Sequence, residues 1–192
     1  GAMLQLVRLP GGLVGCLLTL LCSPALSELF VPSIISSSGA TIRSKGSHPD
    51  LPIRGSRPHQ VSLTKTFVAE ARAKGRRALV VFLGDSITEQ MRGTNMGKRR
   101  SDRKERVWMR ERWYKSALFF GIAHEETHNL LHRVLRNGEL ARISPRVVVL
   151  LIGTNNLGIG KMDAETTARG IMAVVEAVRG QVAGAHIIVQ AL

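Results

Sequence analysis

Four short runs of mostly apolar residues restrict the fold of this chain more than any other feature of its sequence. Each run has the length of one strand, and stretches of helical pattern separate the runs. Strands that are apolar along their whole length are typical of a parallel sheet buried on both faces. The alternation of strand and helix therefore predicts an α/β fold with right-handed crossovers. The predicted strands are residues 78–83, 117–122, 147–152 and 187–191.

Two helices are also predicted. Residues 62–74 have high helical propensity and are followed by Gly75, a frequent helix stop. Residues 163–182 begin with Asp163, a favourable N-cap. Apolar residues recur on one face of this second segment at helical spacing, which indicates a helix packed on the sheet. They are Ile171, Val175, Val178 and Val182.

The first 27 residues are typical of a secretory signal peptide. Residues 13–22 form an apolar run that is too short to cross a bilayer, because spanning takes roughly 20 residues. Small residues at Ala25 and Ser27 suit cleavage before Glu28, so we expect a secreted or extracellular protein. Both cysteines lie in the apolar run, and cleavage would leave no thiol for redox chemistry or metal binding.

Two alternatives for the N-terminus stay open, a buried helix and an organelle transit peptide. The second is suggested by residues 36–57, which are rich in Ser and Arg and contain Asp50 as their single acid. Residues 28–60 hold Pro, Ser and Gly without an apolar period, so we expect a flexible lead-in there. The folded domain is then expected to occupy residues 61–192.

Polar residues follow directly after two of the predicted strands. In an open parallel sheet the ligand crevice lies at the carboxyl ends of the strands, so these residues are candidates for chemistry. Ser86 stands between a strand end and a helix start, where its hydroxyl would be an exposed nucleophile. Asn155 could donate its amide N–H to an oxyanion formed next to Ser86. The alternatives are that Ser86 caps a helix beginning at Ile87 and that Asn155 is a turn residue.

Four strings of residues carry a resemblance to a known family. In chain order they are FLGDSITE at residues 82–89, FGIA at 120–123, NLLHR to NGEL at 129–140 and VLLIGTNN at 149–156. Their order and spacing resemble the SGNH (GDSL-type) hydrolases, and within that family the catalytic subunits of platelet-activating-factor acetylhydrolase. The resemblance implies a flavodoxin-like three-layer α/β/α sandwich. It also implies a serine ester hydrolase that cleaves an acyl or acetyl ester, in a lipid or an acetylated glycan, without a metal or organic cofactor.

The resemblance also implies roles for individual residues. Ser86 would be the nucleophile and its backbone N–H one donor to the oxyanion, the side chain of Asn155 would be another, and Gly84 and Asp85 would support the turn. The family has a glycine in its second block whose backbone N–H completes this set, and the matching position here is His124. A histidine keeps that N–H. Glycine in such a position often allows an unusual backbone conformation or the close approach of a ligand, and a histidine side chain opposes both.

The family's Asp-x-x-His block, which supplies the general base and its orienting acid, has no match in these 192 residues. In the family this block lies beyond the fourth strand, so we expect a C-terminally incomplete domain, a fragment whose activity is impaired or lost. We also expect the sheet edge near residues 187–191 to be unpaired. His186 stands at the start of the last predicted strand, remote from the crevice, and is a poor candidate for the base.

A second motif, His124-Glu125-x-x-His128, matches the HExxH pattern of zinc peptidases. On a helix this spacing places two imidazoles on one face for zinc and leaves the glutamate as general base. A zinc metallopeptidase is therefore an alternative function. The motif follows a strand directly, where a helix N-terminus disfavours a cation, and surface histidines on a partly exposed helix are the commoner explanation.

The formal net charge of +13 favours contact with anionic lipid or another polyanion. Ten basic residues lie between Arg92 and Lys115, where Trp108 and Trp113 are interleaved. A non-catalytic module that binds anions or a membrane surface through this segment is the alternative from another class. A solvated insert with its rings folded onto the sheet is compatible with the same sequence. Aromatic residues are only 4% of the chain, so no specific nucleic acid partner is expected.

Overall fold

The four predicted strands form the centre of the molecule. The computed structural model describes residues 48–99 and 112–192, together with the backbone of Leu17–Leu18. The strands are β1 (Leu17–Leu18), β2 (Val80–Gly84), β3 (Thr94–Asn95), β4 (Lys98–Arg99), β5 (Ala117–Gly121), β6 (Val147–Leu151) and β7 (His186–Gln190). The main sheet has the order β1-β7-β6-β2-β5, and its last four strands are parallel. The predicted α/β class is confirmed.

The helices are α1 (Pro58–Lys74), α2 (Ser86–Arg92), α3 (Thr127–His132), α4 (Thr154–Gly158) and α5 (Ala164–Gln181). A π-helical turn, Arg133–Asn137, continues α3. The helix α5 has the predicted extent, and the Asp163 carboxylate accepts the N–H of Thr166 at 2.6 Å as its cap. Among the described residues, no helix combines the length and the apolar character needed to pass through a bilayer.

The helix α1 begins at Pro58, four residues earlier than the pattern predicted. Proline suits the first helical position because its fixed φ matches the helix and its missing N–H is not needed there. The predicted domain start at residue 61 therefore lies inside α1. The segment before it is also held in place, since Ile53 N donates to His128 O at 3.1 Å and Thr127 Oγ1 donates to Pro49 O at 3.0 Å. The flexible lead-in over residues 28–60 stays a prediction, and its last residues form the start of α1.

The two faces of the sheet differ in burial. On one face the side chains are buried in one cluster with residues of α1, α3 and α5. They are Val81, Leu83, Leu118, Phe120, Val148 and Leu150. On the other face Val80, Val147 and Val149 are half-buried. Aromatic side chains also lie on this second face, where the ring centroids of Trp113 and Phe82 are 6.0 Å apart.

The sequence predicts an unpaired outer edge for β7, and the structure differs from this prediction in part. The backbone of Leu17 is paired with Gln190 and that of Leu18 with Val189. Free N–H and C=O groups on an edge strand favour pairing with any extended segment within reach, which accounts for this contact. The remaining residues of the predicted signal peptide lie outside the described part of the chain, and that interpretation stays a prediction.

Candidate active site

Ser86 is the first residue of α2, directly beyond the carboxyl end of β2. The preceding Asp85 is the N-cap, because its Oδ1 accepts the N–H of Ile87 at 2.9 Å. The hydroxyl of Ser86 is half-buried and has no hydrogen-bond partner among the described residues. The alternative in which Ser86 caps the helix is therefore wrong. Its side chain is free for another role.

Close packing of strand ends fixes the turn that carries Ser86. A Cβ on Gly84 would lie 2.2 Å from the carbonyl oxygen of Leu151, so the approach of β2 to β6 requires glycine at this position. Asp85 is buried, which raises the pKa of its carboxyl, and hydrogen bonding to the Ile87 N–H opposes that shift. Its Oδ2 is buried without a hydrogen-bond partner among the described residues.

Asn155 lies in the first turn of α4, just beyond β6. Its Nδ2 donates to the backbone carbonyl of Glu125 at 2.8 Å. An asparagine amide has two N–H donors, so one remains for a further acceptor. Asn155 is thus more than a turn residue, since its side chain links α4 to the loop between β5 and α3.

His124 lies in that loop with a φ of 64°, in the left-handed region that favours glycine. A histidine therefore stands here in a backbone conformation that glycine adopts more easily. Burial and the charge of Arg57 lower the pKa of His124, so its ring is neutral near pH 7. Its Nδ1 is buried without a hydrogen-bond partner among the described residues, and its ring centroid lies 6.1 Å from that of His59.

Glu89 holds the same loop from α2. Its carboxylate is fully buried, with Oε2 accepting the N–H of Ala123 and Oε1 accepting the N–H of Gly97, each at 2.8 Å. Glu89 is not among the site residues that the sequence predicts. The one sign of it in the sequence is a charged residue in the first turn of the helix that follows Ser86.

A buried network of charges holds the other end of the loop. The Arg133 Nε donates to Glu125 Oε2 at 2.9 Å, and its Nη1 donates to Glu139 Oε1 at 2.7 Å. Its Nη2 donates to the carbonyl of Phe120 at 2.9 Å. Burial raises the pKa of Glu125 to about 7 although Arg133 opposes the shift. Arg133 and Glu139 belong to the third string of the resemblance, which implies no role for them.

The geometry required by the zinc hypothesis is not met. The helix α3 begins at Thr127, so His124 and His128 do not share a helical face. The carboxylate of Glu125, assigned as the general base in that hypothesis, is bound to Arg133. Within residues 48–99 and 112–192, no three His, Cys, Asp or Glu side chains are grouped so that they could hold a metal ion.

His186 pairs with Val147, the first residue of β6, at the end of the sheet opposite Ser86. It is exposed and cannot reach the Ser86 hydroxyl. As predicted, it is not placed to act as the base.

The basic segment from Arg92 to Lys115 is described in part. Arg92 forms an ion pair with Glu70 of α1, and Trp113 packs near Phe82 with 38% of its surface exposed. Trp108 and most of the arginines lie outside the described residues. The anion- or membrane-binding hypothesis therefore stays a prediction.

The fold and these strand ends define an α/β protein whose candidate site lies at the carboxyl edge of a parallel sheet. The chain belongs to the GDSL-like lipase/acylhydrolase family, whose sequence model matches residues 82–192. This finding confirms the resemblance recognised in the sequence.

Individual relatives give the same result. The chain is 35% identical over 132 residues to platelet-activating factor acetylhydrolase IB subunit alpha1 of Bos taurus, covering 69% of this chain and 50% of the relative. The platelet-activating factor acetylhydrolase IB subunit beta homolog of Drosophila melanogaster is 30% identical to the chain over 131 residues. The match covers 68% of this chain and 51% of the relative. The chain thus spans about half the length of the curated relatives it matches. A solved chain from Streptococcus pneumonia has 17% identity and a TM-score of 0.41, covering 69% of this chain and 59% of that chain.

Proposed function

We propose that this protein is an ester hydrolase that attacks an acyl ester through Ser86. The observation that carries the proposal is the set of hydrogen bonds joining three strand-end segments. Ile122 N donates to Gly84 O at 3.1 Å, which connects the β5–α3 loop to the Ser86 turn. Asn155 Nδ2 donates to Glu125 O at 2.8 Å, which connects the same loop to α4. These contacts bring the proposed nucleophile and the proposed oxyanion donors to one edge of the sheet.

In the proposed reaction, the Ser86 Oγ attacks the ester carbonyl carbon and its proton passes to a general base. The carbonyl oxygen becomes an oxyanion that accepts hydrogen bonds from the N–H of Ser86, the N–H of His124 and the free N–H of Asn155. The C–O bond to the leaving alcohol then breaks, and the alcohol takes the proton from the base. Water hydrolyses the remaining acyl-serine in the same way and regenerates Ser86.

The proposal assigns no general base within the described residues. The resemblance implies a histidine from the family's Asp-x-x-His block, and His186 lies at the wrong end of the sheet.

The relatives are named acetylhydrolases, which favours a short acetyl ester as substrate. Export by cleavage after residue 27 is part of the proposal.

The proposal is tested by reacting the protein with a fluorophosphonate probe and mapping the labelled peptide. We expect an adduct on Ser86 that Ser86→Ala abolishes. Removing an oxyanion donor typically slows such chemistry about 10²- to 10³-fold, so Asn155→Ala should reduce the labelling rate by that order.

Ser144→Ala is the matched control, because Ser144 is exposed near the opposite end of the sheet. It should be labelled at the wild-type rate. An adduct elsewhere than on Ser86, or a rate that Asn155→Ala leaves unchanged, would contradict the proposal.

A further inference from the structure

A cavity lies between α1 and the end of α3. Its volume is about 400 Å³, within the range of small-molecule sites. Neither Ser86 nor Asn155 belongs to its lining. The residues used in the argument below are Arg54, Lys65, His132, Arg133, Arg136 and Asn137.

Three cationic side chains line this cavity without a carboxylate partner in the described part of the chain. They are Arg54, Lys65 and Arg136. Like charges arranged around one cavity repel one another, and an anion between them removes that repulsion. The arrangement therefore favours a negatively charged ligand.

The two acids nearest to the cavity do not neutralise these cations. Glu125 lines the cavity, but its carboxylate accepts from Arg133 Nε, and Glu139 accepts from Arg133 Nη1. All three of these side chains are almost completely buried. Arg133 thus pairs with both carboxylates in a buried network at the floor of the cavity, and Arg54, Lys65 and Arg136 are the charged groups of its wall.

His132 lines the same cavity as these cations. Its Nδ1 is buried without a hydrogen-bond partner among the described residues. Burial lowers the pKa of His132, and the charges of Arg54 and Arg136 lower it further. A neutral imidazole can still donate one hydrogen bond, and the amide of Asn137 adds donors to the same wall.

We propose that this cavity binds a small phosphate-bearing anion. A phosphate group carries up to two charges and several acceptor oxygens, which match two guanidinium groups and an ammonium better than a single carboxylate does. The cavity also has room for a group of about the size of glycerol attached to the phosphate. The proposal is independent of the reaction at Ser86.

The test is isothermal titration calorimetry of the protein with inorganic phosphate and with glycerol phosphate. We expect binding that weakens as the salt concentration rises. Arg136→Gln removes one charge-assisted contact and should weaken binding about tenfold or more. Lys65→Gln should act in the same direction. Both side chains are exposed, so the substitutions leave the core intact.

Arg142→Gln is the matched control, because it removes the same charge from an exposed residue that does not line the cavity. It should change the affinity less than twofold, and Ser86→Ala should not change it at all. Equal losses in Arg136→Gln and Arg142→Gln would overturn the proposal, since binding would then follow net charge alone.

A second arm identifies the source of the phosphate. Sedimentation with vesicles of phosphatidic acid in phosphatidylcholine, compared with phosphatidylcholine alone, tests a lipid headgroup. Binding of glycerol phosphate without vesicle binding supports a soluble ligand, and vesicle binding that Arg136→Gln reduces supports a headgroup. Binding in neither arm overturns the site.

Discussion

Two loops at the carboxyl edge of the sheet are held by different kinds of contact. The turn that carries Ser86 is held by a local cap and by backbone packing, since Asp85 bonds to a residue two positions later and Gly84 lies against the carbonyl oxygen of Leu151. The loop that carries His124 is fixed by distant residues. Glu89 binds it from 34 positions away, and Asn155 from 30. Arg133, in the π-helical turn that continues α3, binds Glu125 of the same loop.

The difference shows where the proposed site is vulnerable. A local cap costs about 1 kcal/mol when it is removed, and the rest of the turn remains. The His124 loop depends on buried carboxylates. When the partner of such a carboxylate is lost, the carboxylate stays buried without a hydrogen bond or a compensating charge. We therefore expect substitutions around the His124 loop to be more disruptive than substitutions around Ser86.

The largest effect is expected for Arg133→Met. This change leaves the carboxylates of Glu125 and Glu139 buried without their cation, which should lower the free energy of unfolding by about 3 to 5 kcal/mol. Urea denaturation measures the loss. Arg169→Met is the control, because Arg169 forms an exposed ion pair with Glu165, and it should cost less than about 0.5 kcal/mol. A loss below about 1 kcal/mol in Arg133→Met would show that the network does not hold the loop.

A pH dependence follows from the raised pKa of Glu125. In the folded protein this pKa is about 7, above the ordinary glutamate value of 4.5. The folded state therefore keeps the proton longer than the unfolded chain does. The contribution of Glu125 to stability is fully present below about pH 4.5 and declines as the pH rises toward 7, by at most about 1.4 kcal/mol per pH unit.

Urea denaturation between about pH 5 and pH 8 measures this decline. Glu125→Gln should make the slope shallower, because its amide does not titrate. Glu165→Gln is the control, since the Glu165 side chain is 89% exposed, and it should keep the wild-type slope. Identical slopes in the wild-type protein, Glu125→Gln and Glu165→Gln would show that Glu125 does not cause the pH dependence of stability.

The smallest effect is expected for His124→Gly. A left-handed φ costs a residue with a Cβ about 1 to 2 kcal/mol, and glycine removes that cost at the price of extra chain entropy. We expect the free energy of unfolding to rise by about 0.5 to 1 kcal/mol in thermal or urea denaturation. Ala177→Gly, in the middle of α5, is the control and should lose about 1 kcal/mol. A loss in both variants would show that packing of the His124 ring outweighs backbone strain.

Local patterns predicted much of this molecule. The strands β2, β5, β6 and β7 each lie within a residue or two of an apolar run, and Asp163 caps α5 as its position indicated. The HExxH pattern failed because five residues do not determine whether a helix begins before or after them. In the structure, the helix begins at Thr127.

The sequence alone determined which residues stand at strand ends, because strand length and apolar content are properties of a few neighbouring residues. It therefore placed Ser86 and Asn155 at one edge of a parallel sheet. Only the tertiary structure decided which buried carboxylate meets which partner. Glu89 meets two backbone N–H groups and Glu125 meets Arg133. The physical reason is that desolvation and pairing depend on residues brought together from distant parts of the chain.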